Sequence, residues 1–453
     1  MLTLSPLTNA TCSLNQRFAL SFLFSSPAQS SRFKMSSSDS LPPLPDNRIL
    51  LGCGSVSVDF LATVASYPQP DDKIRSTSLK VQGGGNAGNA LTCAARLGLN
   101  PRLISKVADD SQGKGILEEL EADGVDTSFF VVSNGGTSPF TYVIVDSNVE
   151  VFFFFFLFSF FHRLVTANGG MVQIFLQIKF KLNKIEKKER TQTSILGYIF
   201  RKTRTCIHTP GSPPMMPDDL SQSNLLSAID GARIVYFDGR LHETALVVAR
   251  EAARRNIPIL IDAERKREGL DDLLGLADFA VCSAKFPQAW TEAPSISSSL
   301  VSMLLRLQRL KFVIVTLGDD GCIMLQRTVN GSSESEEMEI DSLLELLKQR
   351  RDGSMAVPAC ISSSAMTLKA NGIGTVSGRL FVGTAEKIPL SELVDTTGAG
   401  DAFIGAVLYA ICAEMPPEKM LPFAAQVAAA NCRALGARGG LPVRSDPRLA
   451  SFL

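Results

Sequence analysis

Histidine is almost missing from this chain of 453 residues: there are three, His162, His208 and His242, and none belongs to an H-E-x-x-H spacing. Histidine-held metal centres and metalloprotease chemistry therefore find no support, and any proton transfer falls to a carboxylate. Tryptophan occurs once. Nine cysteines are scattered from position 12 to position 432 without a C-x-x-C pair, which suggests neither a disulfide framework nor a zinc site. An excess of one charge is also missing. Forty-five basic residues balance 45 acidic ones, so no concentrated basic face is available for nucleic acid. A spanning helix needs about 20 apolar residues, whereas the apolar stretch 151–161 has eleven and runs into His162 and Arg163. Neither a nucleic-acid partner nor a membrane is expected.

The chain is otherwise rich in core-forming residues. Hydrophobic residues make up 45% and charged ones 20%, the balance of an ordinary globular protein. At about 150 residues per domain the length allows two or three domains, or one large α/β unit with tails. From Ile49 onward, apolar runs at 49–53, 103–107, 234–238, 259–262 and 313–316 alternate with helical stretches at 88–97 and 244–255. Strand–helix–strand repetition predicts an α/β fold, a mostly parallel sheet flanked by helices. Ligands of such sheets gather beyond the carboxyl ends of the strands.

Three segments depart from this pattern. The first 38 residues contain no acidic residue, three basic ones and ten serines. That composition reads as an organelle transit peptide with a plastid address, the alternative being a disordered tail ahead of a start at Met35 on a cytoplasmic protein. Residues 148–202 break the alternation, with Phe at eight of the ten positions 152–161 and six basic residues in 178–190. On either side, 139–146 and 203–209 are rich in β-branched and aromatic residues and would form a hairpin if joined directly. The segment between them reads as an insertion at the hairpin tip. Residues 329–378, rich in Ser, Glu and Gly, read as a surface excursion with one short helix at 342–349.

The strongest chemical signal is Val394-Asp-Thr-Thr-Gly-Ala-Gly-Asp-Ala-Phe403, which runs directly into an apolar helix. Small residues let a backbone approach a ligand closely. The N–H groups of Gly398, Ala399 and Gly400 at a helix start would make an anion site suited to phosphate. Asp401 at its mouth could take a proton from an attacking hydroxyl while the amides stabilise the transferring charge; alternatively it is a helix N-cap.

The run 395–403 resembles the C-terminal signature of the ribokinase-like, or PfkB, carbohydrate kinases. Gln82-Gly-Gly-Gly-Asn-Ala-Gly-Asn-Ala90 resembles the N-terminal glycine-rich signature of that family, which lines the sugar pocket. Gly85, Asn86 and Asn89 are then expected at the sugar, since a carboxamide donates to and accepts from hydroxyls; Asp59, after Gly54-Ser-Val-Ser-Val58, is expected to accept from two of them. Val313-Ile-Val-Thr-Leu-Gly-Asp-Asp-Gly321 resembles the family's nucleotide-binding strand end, which places Gly318, Asp319, Asp320 and Gly321 along ATP through backbone groups.

Within the family, 66–75 and Tyr236-Phe-Asp-Gly-Arg240 look closest to the ketohexokinase branch, which implies that Arg240 reaches the nucleotide. One departure stands out: the strand end that carries Asn-x-x-Glu in many members reads Val281-Cys-Ser-Ala-Lys-Phe-Pro-Gln288 here, so the Mg²⁺ ligands are unassigned. The resemblance spans a kinase domain at 47–450 and implies a small β-sheet lid over the sugar, built from about 55–82, 138–147 and 203–210. It also implies a homodimer through that lid. The expected activity is transfer of the γ-phosphoryl group of ATP, with Mg²⁺ and a K⁺ dependence left open, to a small sugar. Fructose or a related ketose comes first; ribose or a nucleoside, and a catalytically weak interaction protein, are the alternatives.

Overall fold

The structure, a computed structural model, describes residues 43–146, 204–328, 337–351 and 355–453. The transit-like tail and the phenylalanine-rich insertion lie outside the described residues, apart from the insertion's flanks. Six parallel strands form the centre of the main sheet, in the order Asn100–Ile104, Ile49–Cys53, Ile234–Phe237, Ile259–Ala263, Phe279–Ser283 and Phe312–Thr316. These strands are continuous apolar runs because helices cover both faces. Leu51, Val235, Ile261 and Val313 pack into one core, whereas Leu50, Tyr236, Leu260 and Ile314 pack into the other. Where a single strand was expected at 103–107 there are two, Asn100–Ile104 and Lys106–Ala108. The break falls at Ser105, whose hydroxyl donates to the Gly54 carbonyl.

The segment expected to be a surface excursion is instead part of the sheet. Cys322–Arg327 and Gly374–Gly383 continue it antiparallel, Met366–Ala370 pairs antiparallel with the latter, and Glu337–Glu339 and Cys360–Ser362 add short edges. The helix Ile340–Gln349 buries Ile340, Leu343 and Leu347 against this extension. Composition was misleading because Met366–Ala370 and the first part of Gly374–Gly383 bury only alternate residues. In Met366-Thr-Leu-Lys-Ala370 the Met, Leu and Ala are buried and Lys369 is exposed.

A second sheet, with strand order Ser78–Gly84, Ser57–Val64, Phe140–Asp146, Arg204–Thr209, forms the lid. Its last two strands pair antiparallel from Phe140 with Thr209 to Val145 with Arg204, the hairpin read from the sequence. Two helices then bring the motifs together. Asn86–Arg96 follows the lid strand Ser78–Gly84, and Ala399–Cys412 is buried almost all round, as an apolar helix must be. They touch at Gly405, where an added Cβ would lie 2.6 Å from both the Ala90 carbonyl oxygen and the Cys93 Cβ.

Candidate active site

Both helices begin at a glycine with positive φ, Gly85 at 84° and Gly398 at 72°. Neither start carries a side-chain cap, which leaves first-turn N–H groups for an outside acceptor. Gly398 is required by geometry, since a Cβ there would lie 2.6 Å from the Ala437 Cα. The preceding loop is held by Asp395, which accepts from the Thr397 backbone N–H at 2.9 Å and its hydroxyl at 2.8 Å, and from the Gly436 N–H at 2.9 Å. Asp401 is therefore a first-turn residue and not the N-cap.

A cavity of about 510 Å³ opens at these helix starts. Asp59, Gly85, Asn86, Asn89, Arg240, Gly398, Gly400 and Asp401 all line it. Ala399 does not: it turns its N–H back onto the Thr396 carbonyl at 3.3 Å. Asp59 projects from the lid and accepts from the Ser57 hydroxyl at 2.8 Å, and a Cβ at Gly84 would lie 2.2 Å from its carboxylate.

Asn89 is placed differently from expectation, because its Nδ2 donates to Asp401 Oδ2 at 2.8 Å and so serves the carboxylate. Arg240 too is tied to the cavity wall. Its guanidinium lies 3.4 Å from Glu264 and 3.9 Å from Asp238. The turn Gly318–Asp320 and Gly321 stand beyond the strand end and do not line this cavity, although Thr316, just before them, does. The Asp320 carbonyl accepts from Arg351 Nη2 at 2.9 Å.

Three carboxylates, Asp262, Asp238 and Glu264, escaped sequence reading. Asp262 lies at the end of the strand Ile259–Ala263 and accepts from Asn86 Nδ2 at 3.4 Å. Asp238 accepts from the Ser55 N–H at 2.7 Å and the Ser55 hydroxyl at 2.6 Å. The signal was their position: each closes or follows an apolar strand run, where ligands of parallel sheets collect. The carboxylates on this wall are thus supplied by Asp262 and Glu264, and not by 281–288, where Val281, Cys282 and Ser283 only line the cavity. Among the described residues no group of three or more His, Cys, Asp or Glu is placed to hold a metal ion.

Burial dominates the electrostatics. It pushes Asp401 up to about 7, against the bond from Asn89 and the charge of Arg240, while Glu264 and Asp238 push it further. Burial, then the charges of Asp401 and Asp238, holds Asp262 well above the usual carboxylate range. A buried carboxyl poised near neutrality beside uncapped helix amides can exchange a proton with a bound hydroxyl.

Comparisons with known proteins bear on the family and the fold. The model of the pfkB family of carbohydrate kinases matches residues 50–159 and 336–444. A nucleoside kinase of Methanothermobacter thermautotrophicus is 28% identical over 105 residues, 23% of this chain and 34% of that protein. A Bacillus subtilis ribokinase is 37% identical over 17% of this chain and 26% of its own length. The chain thus aligns with only about a third and a quarter of those two relatives' length. Fructokinase-1 of Zea mays is 23% identical over 80% of this chain and 83% of its own. Among solved structures, Arabidopsis thaliana ribokinase complexed with ribose and ATP superposes with a TM-score of 0.55 at 17% identity, covering 90% of this chain and 99% of that one. These distant structural likenesses show the ribokinase fold.

Gly400 separates packing from binding. A Cβ there meets nothing within 4 Å, so Gly400→Ala should melt no lower than the native protein, as alanine gains up to about 1 kcal/mol over glycine in a helix. Its affinity for a phosphate-bearing ligand, with ATP as the calorimetric probe, should fall about tenfold or more, a loss of about 1.4 kcal/mol. Gly398→Ala should instead lose about 1–3 kcal/mol of stability. Undiminished ATP binding by Gly400→Ala would remove the anion cradle.

Proposed function

We propose, from the premise that this chain belongs to the pfkB family of carbohydrate kinases, that it transfers the γ-phosphoryl group of ATP to a hydroxyl of a small carbohydrate, fructose or a related ketose. The observation that carries the reading is Asp401, a buried carboxyl at the glycine-started turn of Ala399–Cys412, in one cavity with Asp59 and Asn86. The acceptor's hydroxyl gives its proton to Asp401 while its oxygen forms the new bond to the γ-phosphorus. The bond to the bridging oxygen breaks, and ADP leaves with that electron pair. Backbone N–H groups of Gly398 and Gly400, which line the cavity, face the charge on the transferring group. Asp59 and Asn86 hold the sugar's remaining hydroxyls, and the lid keeps out water, which would compete as acceptor. Among the described residues no three His, Cys, Asp or Glu side chains form a ligand set for an ion.

Asp401 works as a base only when ionised. With its carboxyl pushed up to about 7, kcat/KM should climb as pH rises through about 7, because that ratio reports groups of the free protein. Asp401→Asn should lose about 10²–10⁴ in kcat and keep its ATP affinity. Near-native turnover in that variant would remove the mechanism.

A second acceptor class has one specific observation in its favour. A neighbouring cavity of about 440 Å³ shares Ser55, His208 and Arg240 with the first, and Pro139, Pro213, Pro214, Met215 and Met216 line it. An apolar recess beside a polyol site suits a nucleoside, whose base is a flat ring. Phosphate transfer from labelled ATP to fructose, ribose and adenosine separates the readings. Fructose alone accepting supports the ketose, adenosine alone supports the nucleoside, and transfer to none of a broad acceptor panel refutes the kinase.

The homodimer belongs to the same proposal. Val81, Phe60, Tyr142 and Ile207 are register neighbours across the lid, and Val81, Tyr142 and Ile207 are each more than half exposed. An apolar row of this kind suits a second copy. Sedimentation equilibrium tests it, and a monomer at micromolar concentration would overturn it.

A further inference from the structure

The glycine-rich opening of the Asn86–Arg96 helix encloses a guanidinium that no motif marks. Arg438, beyond the Pro417–Asn431 helix, is only 2% exposed. Its Nε donates to Asn89 Oδ1 at 2.9 Å, its Nη2 to the Gly84 carbonyl at 3.0 Å, and its Nη1 lies 3.4 Å from Glu119 Oε1. Glu119 is itself held, accepting from the Gly83 N–H at 2.6 Å. Cβ atoms at Gly83 and Gly88 would lie 2.3 and 2.5 Å from guanidinium nitrogens of Arg438, so two glycines of the motif make room for this side chain. A buried cation is costly unless its donors are satisfied, and such an arrangement is retained where it specifies geometry.

Arginine has donors and no acceptor. An Asn89 amide turned by half a rotation would set its own NH₂ against Nε, donor against donor. The orientation that remains puts Oδ1 on Arg438 and Nδ2 on Asp401 Oδ2, at 2.8 Å. We infer that Arg438 is a positioning residue: acting through Asn89, it fixes the hydrogen bond that Asp401 receives and so holds that carboxylate in a single orientation, with Oδ1 left for the acceptor's proton. The inference deepens the kinase reading, from which Asp401's role is taken. The link itself is independent of any acceptor.

Asp401 also faces Arg240, Asp238, Asp262 and Glu264, and its charge is felt at Tyr236 and Cys93. Arg438 faces Glu119, Asp123, Asp59 and Arg96. Neither group titrates in isolation, so the test compares variants that leave these neighbours in place.

The experiment is a ¹³Cγ-aspartate NMR titration of the full-length protein, with the Asp401 resonance assigned by its loss in Asp401→Asn. Asn89→Ala removes a bond that favours the ionised carboxyl, so the Asp401 midpoint should move up by about one pH unit. Arg438→Met and Arg438→Gln should move it in the same direction, methionine because it offers no donor and glutamine because it accepts either amide orientation. Arg438→Lys, again a donor only, should restore the midpoint to within a few tenths of a unit, even with a lowered melting temperature. Adding Asn89→Ala to Arg438→Gln should move the midpoint no further than Asn89→Ala alone, because the two act through one bond. If Arg438→Met does not fold, the glutamine–lysine contrast carries the test. A native midpoint in Arg438→Gln, or additive shifts in the double variant, would overturn the inference. The acid limb of kcat/KM for fructose and ATP should shift in parallel. The coupled NMR shifts without any turnover would refute the kinase reading and leave the Arg438–Asn89–Asp401 link standing.

Discussion

The site depends on one close approach, between the helices Asn86–Arg96 and Ala399–Cys412. Gly405 permits it, because any side chain there would strike the Ala90 carbonyl and Cys93. Cys93 adds a bond from its sulfur to the Ala402 carbonyl at 3.4 Å. Interiors packed to crystal density do not adjust continuously, so this contact sets where both glycine-started turns lie. Asn89 then meets Asp401, two residues 312 positions apart in the chain. Without the contact the two glycine-rich motifs would be separate turns.

The same packing makes the electrostatics possible. A carboxylate excluded from water is stabilised only by the groups fixed around it. Asp401 has one hydrogen-bond donor in Asn89 and one nearby cation in Arg240, set against Asp238 and Glu264. Burial outweighs these contributions and lifts the carboxyl to about 7, so its proton can be taken and released around neutral pH. Arg240 serves several anions at once, bonding to Asp238 through its backbone N–H at 3.1 Å and pairing with Glu264. Its place in the wall thus has an electrostatic reason apart from any contact with nucleotide.

The lid completes the enclosure from a different part of the chain. Its strands alternate, so Asp59, Thr141 and His208 point into the cavity while Phe60, Tyr142 and Ile207 point away. The hairpin that carries Thr141 and His208 was legible from its β-branched composition. The lid and the helix motifs meet at Gly84, which clears the Asp59 carboxylate.

Local pattern alone determined much of this protein. The parallel strands were readable because sheets buried on both faces leave uninterrupted apolar runs, and the two glycine motifs because glycine opens a helix at positive φ without strain. Within 329–378 the short helix was read but the strands were missed for the opposite reason, since a strand with one buried face, such as Met366–Ala370, shows only alternate apolar residues. Tertiary structure alone decided the partners. Asn89 reads as a sugar contact in sequence and donates to Asp401 in space. Asp262 and Asp238 look like strand punctuation until the sheet sets them side by side, and Arg438 has no local signature at all. A hydrogen bond is specified by distance and direction, and neither is written in the chain until packing brings residues hundreds of positions apart within 3 Å.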